Sequence, residues 1–201
     1  MKIIGLTGGI GMGKSTAASA LRRAGLTVFD ADAEVHALQA PGGKAVPAIA
    51  RLVPDAVRDG RIDRAALRRA VVADASLLTG LERILHPMVR ASQRRFLGRA
   101  RRSGRRWAVL DIPLLFERGG YRSCDMIVVV SAPRAMQLQR VRRRGGMSEA
   151  EAVALIARQM PDAEKRRRAD LVIGTGLSRW HSLRQIRRMM TKLTGPGTPT
   201  P

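Results

Sequence analysis

The 201 residues allow one domain with insertions and a core large enough to fold alone. A composition 45% hydrophobic and 26% charged excludes disordered and collagen-like chains, and no apolar stretch nears the ~18 residues of a membrane span. The formal charge of +21, nearly all from arginine, draws polyanions of any kind, while 3% aromatic content leaves few rings on which single-stranded nucleic acid could stack.

The pattern opens with an apolar run at residues 2–6, a buried-strand signal. Thr7-Gly8-Gly9 breaks it too early for the apolar region of a secretory signal. Gly8-Gly9-Ile10-Gly11-Met12-Gly13-Lys14-Ser15 then satisfies G-x-x-x-x-G-K-[ST], between that strand and a helix expected over residues 14–24 and stopped by Gly25. Phosphate binding needs this composition. Glycines let the backbone close round the anion, whose charge meets successive N–H groups and the amino end of the helix. Lys14 adds a full positive charge for the β- and γ-phosphates, and the Ser15 hydroxyl is a ligand for the Mg²⁺ that neutralises them. The motif predicts nucleoside triphosphate binding but does not separate a small-molecule kinase from a GTPase switch or a nucleic-acid motor.

A second strand is expected at residues 27–29, with Asp30 and Asp32 at its carboxyl edge, where open α/β sheets bind ligands. Helix capping and the orientation of an acceptor hydroxyl both suit such a pair, and spacing alone favours neither assignment. We assign Asp30 to capping or a supporting position and Asp32 to catalysis. Amphipathic stretches near 63–72, 77–85 and 89–101 predict a helical insertion, followed by strands at 107–110 and 126–130. Cys124, the single cysteine, cannot form an internal disulfide; it fits a reducing compartment and reads as a small core residue. After Pro133 a helix is expected over 134–144, and Ser148-Glu149-Ala150-Glu151 is a capping box opening a helix that runs to Gln159 before Pro161. The densest charge, Lys165-Arg166-Arg167-Arg168, precedes a strand at 171–173, a helix at 178–193 and a tail at 195–201 expected to be disordered.

Short apolar strands alternating with helices predict an α/β fold of the P-loop NTPase type, three layers with a parallel sheet of about five strands. The expected core is residues 1–33, 104–143 and 169–194, with a helical substrate-binding insertion at 34–103 and a helical lid at 144–168.

A longer series of residues carries a family resemblance. Thr7 to Thr16, Asp30-Ala31-Asp32, Leu85-His86-Pro87-Met88-Val89-Arg90 and Asp111-Ile112-Pro113-Leu114-Leu115-Phe116-Glu117 resemble dephospho-CoA kinase in order and spacing. So do Gln137-Leu138, Arg140, Arg144, Gln159-Met160, Lys165 and Ala169 to Ile173, so the resemblance spans residues 1 to 190. It implies transfer of the ATP γ-phosphate to the ribose 3′-hydroxyl of dephospho-CoA with Mg²⁺, the last step of CoA synthesis. Beside it, the single cysteine, the absence of an apolar span and the scarcity of rings lead us to expect a cytoplasmic protein with no membrane or specific nucleic-acid partner, and a monomer is the default expectation. By position, Asp32 matches the catalytic carboxylate, and Gly11, Met12, Gly13, Lys14, Ser15 and Thr16 match the ATP-binding loop. His86 and Arg90 match the acceptor-binding stretch, while Arg140 and Arg144 match the lid side, where arginine can cover adenine and the transferring phosphate. Asp111 at a strand end could hold Mg²⁺ through water. Gly174-Thr175-Gly176 departs from the usual Asp-Asn-x-Gly, which opens the choice between ATP and GTP, and Gly145 replaces an acidic residue usual after Arg144, a change expected to loosen the lid without touching the phosphate chemistry. Two other readings remain: another small-molecule P-loop kinase acting on a nucleoside or nucleoside monophosphate, and a basic nucleic-acid-binding ATPase.

Overall fold

The apolar run at the amino end forms β1 (Lys2–Thr7), buried from Ile3 onward because it lies in the middle of a sheet covered on both faces. The computed structural model describes residues 1–194, and all their side chains but those of residues 144, 145 and 194. The tail at 195–201 lies outside the described residues. After β1 come α1 (Lys14–Arg23), β2 (Thr27–Asp30), α2 (Ala31–Leu38), α3 (Val46–Leu52), β3 (Val57–Arg58), β4 (Arg61–Ile62), α4 (Arg64–Ala73) and α5 (Ser76–Arg102). The chain continues with β5 (Trp107–Asp111), β6 (Met126–Ser131), α6 (Arg134–Gly145), α7 (Glu149–Ala157), α8 (Asp162–Arg167), β7 (Leu171–Gly174) and α9 (Arg179–Thr194).

The main sheet runs β2-β5-β1-β6-β7, with β1 parallel to β5 and β6, and β6 parallel to β7. From β1 the chain crosses by α1 to β2 on one side, whereas from β6 it goes to β7 on the other. The carboxyl ends of β1 and β6 therefore flank a topological switch point, the place where open α/β sheets bind ligands. Alternation along the strands turns Ile4, Leu6, Val109, Val128, Val130 and Ile173 into one core, closed by Ala17, Ala18 and Leu21 of α1 and Ile186 and Met189 of α9.

The described chain divides into two compact units, residues 1–29 with 100–194, and residues 30–99. The second has its own core, in which Leu38, Ala45, Ile49, Val53, Ala56, Leu67 and Leu81 are buried. The expected stretches at 77–85 and 89–101 are a single helix, α5, with Pro87 inside it. Pro87 costs ~3 kcal/mol by removing a backbone bond. Leu77, Leu81, Ile84, Leu85, Met88 and Val89 nevertheless share one face across the proline and pack on the core. Even partial burial, at ~1.5–3 kcal/mol for a full side chain, outweighs the break. The sequence reading also passed over the β3–β4 hairpin, whose signal is Asp59-Gly60: both residues take positive φ, 49° and 69°, as a tight two-residue turn demands.

Candidate active site

The loop between β1 and α1 is built so that its carbonyls from Gly9 to Gly13 are held, together with the N–H groups of Ile10 and Met12. Gly11 (φ 76°) and Gly13 (φ 87°) take the left-handed conformation that reverses the chain, and a Cβ on Gly11 would strike Gln137 O and Val141 Cγ2 at 2.9 Å. Gly9 O accepts from Met12 N at 3.1 Å, Ile10 O from Gln137 Nε2 at 2.9 Å, and Gly11 O from Arg140 Nη1 at 3.3 Å. Met12 O accepts from Thr175 Oγ1 at 2.6 Å, and Gly13 O from the N–H groups of Thr16 and Ala17. Gly13 caps α1 without a side chain, so the first turn presents its unpaired backbone donors and its positive dipole end outward.

Lys14 Nζ lies 2.6 Å from Asp111 Oδ1, with the lysine side chain 15% exposed and the aspartate 2%. The strand register explains the meeting: Asp111 ends β5 opposite Leu6 of β1, one residue before the loop begins to leave the strand. Ser15 and Thr16 are exposed on the first turn of α1. Met12 is buried, its Sδ accepts from Ala132 N at 3.1 Å, and its N–H and carbonyl are bonded to Gly9 O and Thr175 Oγ1, so the residue anchors the loop.

Arg140, expected over the transferring phosphate, reaches the loop from α6. Its Nη2 donates to Thr175 O at 2.7 Å and its Nη1 lies 3.2 Å from Thr175 Oγ1. Thr175 itself is buried beyond β7, its N–H bonded to Ser131 O at 2.8 Å. The departure noted at Gly174-Thr175-Gly176 thus contributes a hydroxyl that pins the phosphate loop. The Arg144 side chain lies outside those described.

Around this centre, residues that the sequence reading gave no role do structural work. Gln159 Oε1 accepts from Ile10 N at 2.8 Å. Glu117 Oε1 accepts from Met160 N at 3.1 Å and pairs with Lys165 Nζ at 2.8 Å, the lysine being completely buried. Partial burial pushes the Glu117 carboxyl up, but hydrogen bonds from Lys165 and from backbone N–H groups, with the Lys165 charge, hold it below its ordinary value. All of these were visible as motif residues, yet no spacing rule links positions so far apart in the chain.

The remaining predicted residues belong to the second unit. Asp30 is the N-cap of α2, its Oδ1 accepting from Ala33 N at 3.0 Å. Asp32 sits exposed in the first turn of that helix. His86 and Arg90, four residues apart, share one face of α5.

Comparison with known proteins gives this arrangement its family. The model of the family "Dephospho-CoA kinase" matches residues 2–178. A dephospho-CoA kinase of Gluconobacter oxydans is 51% identical over 197 residues, covering 96% of this chain and 98% of that protein. One of Paramagnetospirillum magneticum is 57% identical over 166 residues, 83% of this chain and 78% of that protein. The crystal structure of a Thermus thermophilus protein, 39% identical, superposes with a TM-score of 0.82 over 96% of this chain and 98% of that one. With a nucleotide loop at the switch point of its sheet and relatives of this identity along nearly its whole length, the chain belongs to the dephospho-CoA kinase family, P-loop kinases that use ATP to phosphorylate dephospho-CoA in CoA biosynthesis.

Proposed function

We propose that the residues of this chain divide the family reaction as follows. The 3′-oxygen of the acceptor ribose attacks the γ-phosphorus of ATP. The bond from that phosphorus to the β–γ bridging oxygen breaks, and the hydroxyl proton passes to the carboxylate of Asp32. Lys14 and the backbone donors of Gly11, Gly13, Lys14 and Ser15 hold the β- and γ-phosphates, with Met12 and Thr16 completing the loop, so that charge shifting onto ADP meets fixed positive groups. Arg140 and Arg144 are assigned to the nucleotide, and His86 and Arg90 to the acceptor. Phosphoryl transfer asks a protein mainly for position and charge, and these groups supply both.

The donor set suits Mg²⁺: a hydroxyl on the first turn of α1 and a carboxylate at the end of the adjoining strand are hard oxygen ligands. Ser15, with Asp111 acting through water, would hold the ion. Once bound it supplies charge neutralisation to the phosphates. A monomer in the cytoplasm completes the reading.

The observation that carries this proposal is the loop itself, with its carbonyls from Gly9 to Gly13 bonded and Lys14 held by Asp111. The test is ADP release with ATP and Mg²⁺ when dephospho-CoA, nucleoside monophosphates or DNA are added separately, the products being weighed by mass spectrometry. A CoA product formed only with dephospho-CoA supports it. Asp32→Asn should then lower turnover about a thousandfold with ATP affinity retained, the range of a lost general base. Turnover within about tenfold of the parent would remove Asp32 from that role.

A further inference from the structure

Ile10, inside the phosphate loop, is gripped on both of its backbone polar groups by glutamine side chains. Its N–H donates to Gln159 Oε1 at 2.8 Å, and its carbonyl accepts from Gln137 Nε2 at 2.9 Å. The two amides close on Gly9, where an added Cβ would stand 3.3 Å from Gln137 Nε2 and 3.3 Å from Gln159 Oε1. Their orientations are set by their partners, since an N–H requires the amide oxygen and a carbonyl requires the amide nitrogen. Gln137 is buried on α6, and its Oε1 accepts in turn from Arg134 Nη1 at 3.1 Å. Gln159 lies just past α7, where its own N–H closes the last turn onto Ile156 O. The next residue is fixed as well, through Met160 N on Glu117.

The consequence for the loop is geometric. An N–H bonded to Gln159 does not turn toward a phosphate, and the two peptide planes on either side of the Ile10 Cα are each held, Gly9–Ile10 through its N–H and Ile10–Gly11 through its carbonyl. The donors that follow it start from a fixed plane. We propose that Gln137 and Gln159 are positioning residues for ATP: together they lock the two peptides flanking Ile10 so that the donors of Gly11, Gly13, Lys14 and Ser15 meet the phosphates, and Gln159 makes that geometry depend on the segment carrying α7. The proposal rests on the reading of residues 8–15 as the ATP phosphate site.

Charge-matched variants separate the clamp from electrostatics, because the two side-chain ends meet at Gly9. Gln159→Glu keeps an acceptor for the Ile10 N–H, whereas Gln137→Glu puts a carboxylate against the Ile10 carbonyl and loses the donor; both add one negative charge at the same place. Steady-state kinetics should give Gln137→Glu a KM for ATP about tenfold above that of Gln159→Glu, as expected for one lost hydrogen bond and one unsatisfied carbonyl. Gln159→Met should raise the KM for ATP by about tenfold while the KM for dephospho-CoA stays within about twofold. Thermal melts identify any variant that is merely unfolded, for which the glutamate pair alone decides. Equal KM values for ATP in the two glutamate variants overturn the clamp. Lys14→Ala serves as the control: if it abolishes ATP binding while Gln159→Met binds normally, the clamp fails and the loop assignment stands. If Lys14→Ala binds ATP as the parent does, the loop assignment fails first.

Discussion

Lys14 Nζ and Asp111 Oδ1 stand 2.6 Å apart, a cation on the phosphate loop aimed by a carboxylate that is itself almost wholly buried on the neighbouring strand. A lysine side chain has four rotatable bonds, and without a partner its ammonium would sample much of the loop mouth. Asp111 removes that freedom. Asp111→Asn keeps the shape but loses the charge, so kcat/KM for ATP should fall by about tenfold to a hundredfold. Steady-state kinetics check this, and a value within about twofold of the parent would show that Lys14 is placed by the loop alone.

Thr175 offers a second point at which the loop can be loosened, one shared with Arg140. Its buried hydroxyl donates to Met12 O at 2.6 Å, and its carbonyl takes the Arg140 guanidinium at 2.7 Å. Thr175→Val deletes the donor with little change of size and leaves a carbonyl unsatisfied, at a cost of about 1–3 kcal/mol. Urea denaturation should register that loss, accompanied by a higher KM for ATP. Thr175→Ser, which keeps the hydroxyl, should recover most of both.

The sheet, the loop and the capping helices were legible because their causes are local. Buried parallel strands read as apolar runs, Gly8 to Ser15 is a contiguous motif, and the capping box at Ser148 formed as its spacing required, with Ser148 Oγ accepting from Glu151 N. The errors also have local causes. Pro87 read as a helix boundary, whereas the apolar face of α5 continues across it, and Asp59-Gly60 was left unread for want of long flanking strands. The loop's supports were not legible, since Gln137, Gln159, Thr175 and Asp111 reach it only once β5, β6 and β7 are set beside β1. Asp170 teaches the same lesson: the motif series gives it no role, and its Oδ2 accepts from Ile127 N at 2.6 Å and ties the start of β7 to β6.

Cys124 should behave as a structural residue. Burial, with the nearby Asp125 charge, pushes its thiol up to about 11 from an ordinary value of 9.0, and its Sγ lies 3.7 Å from Gly120 O. Since the thiolate is the reactive form, two units leave about a hundredfold less of it at neutral pH than in an unhindered cysteine. Alkylation by iodoacetamide at pH 8 should therefore be at least about a hundredfold slower than in the urea-unfolded chain. Equal rates would place the thiol in a far more open and polar setting than the one it occupies here.

The pair between Glu117 and Lys165 joins the turn after β5 to α8, and its two halves are not equivalent. The Lys165 side chain is completely buried, whereas that of Glu117 is 22% exposed. Removing the carboxylate strands an ammonium in the interior; removing the lysine leaves a carboxylate that water can reach. Glu117→Gln should therefore destabilise the protein by about 3 kcal/mol or more, and Lys165→Met by less. The pH dependence follows from the lowered Glu117 value. A carboxylate held below its unfolded pKa of about 4.5 contributes its full stabilisation above that pH and loses it as pH falls through the folded value. The stability gap between the parent and Lys165→Met, measured by urea denaturation, should be constant from pH 7 to about pH 5 and shrink below it. A gap that stays constant as pH falls well below 4 would mean that Glu117 gains nothing from the buried lysine.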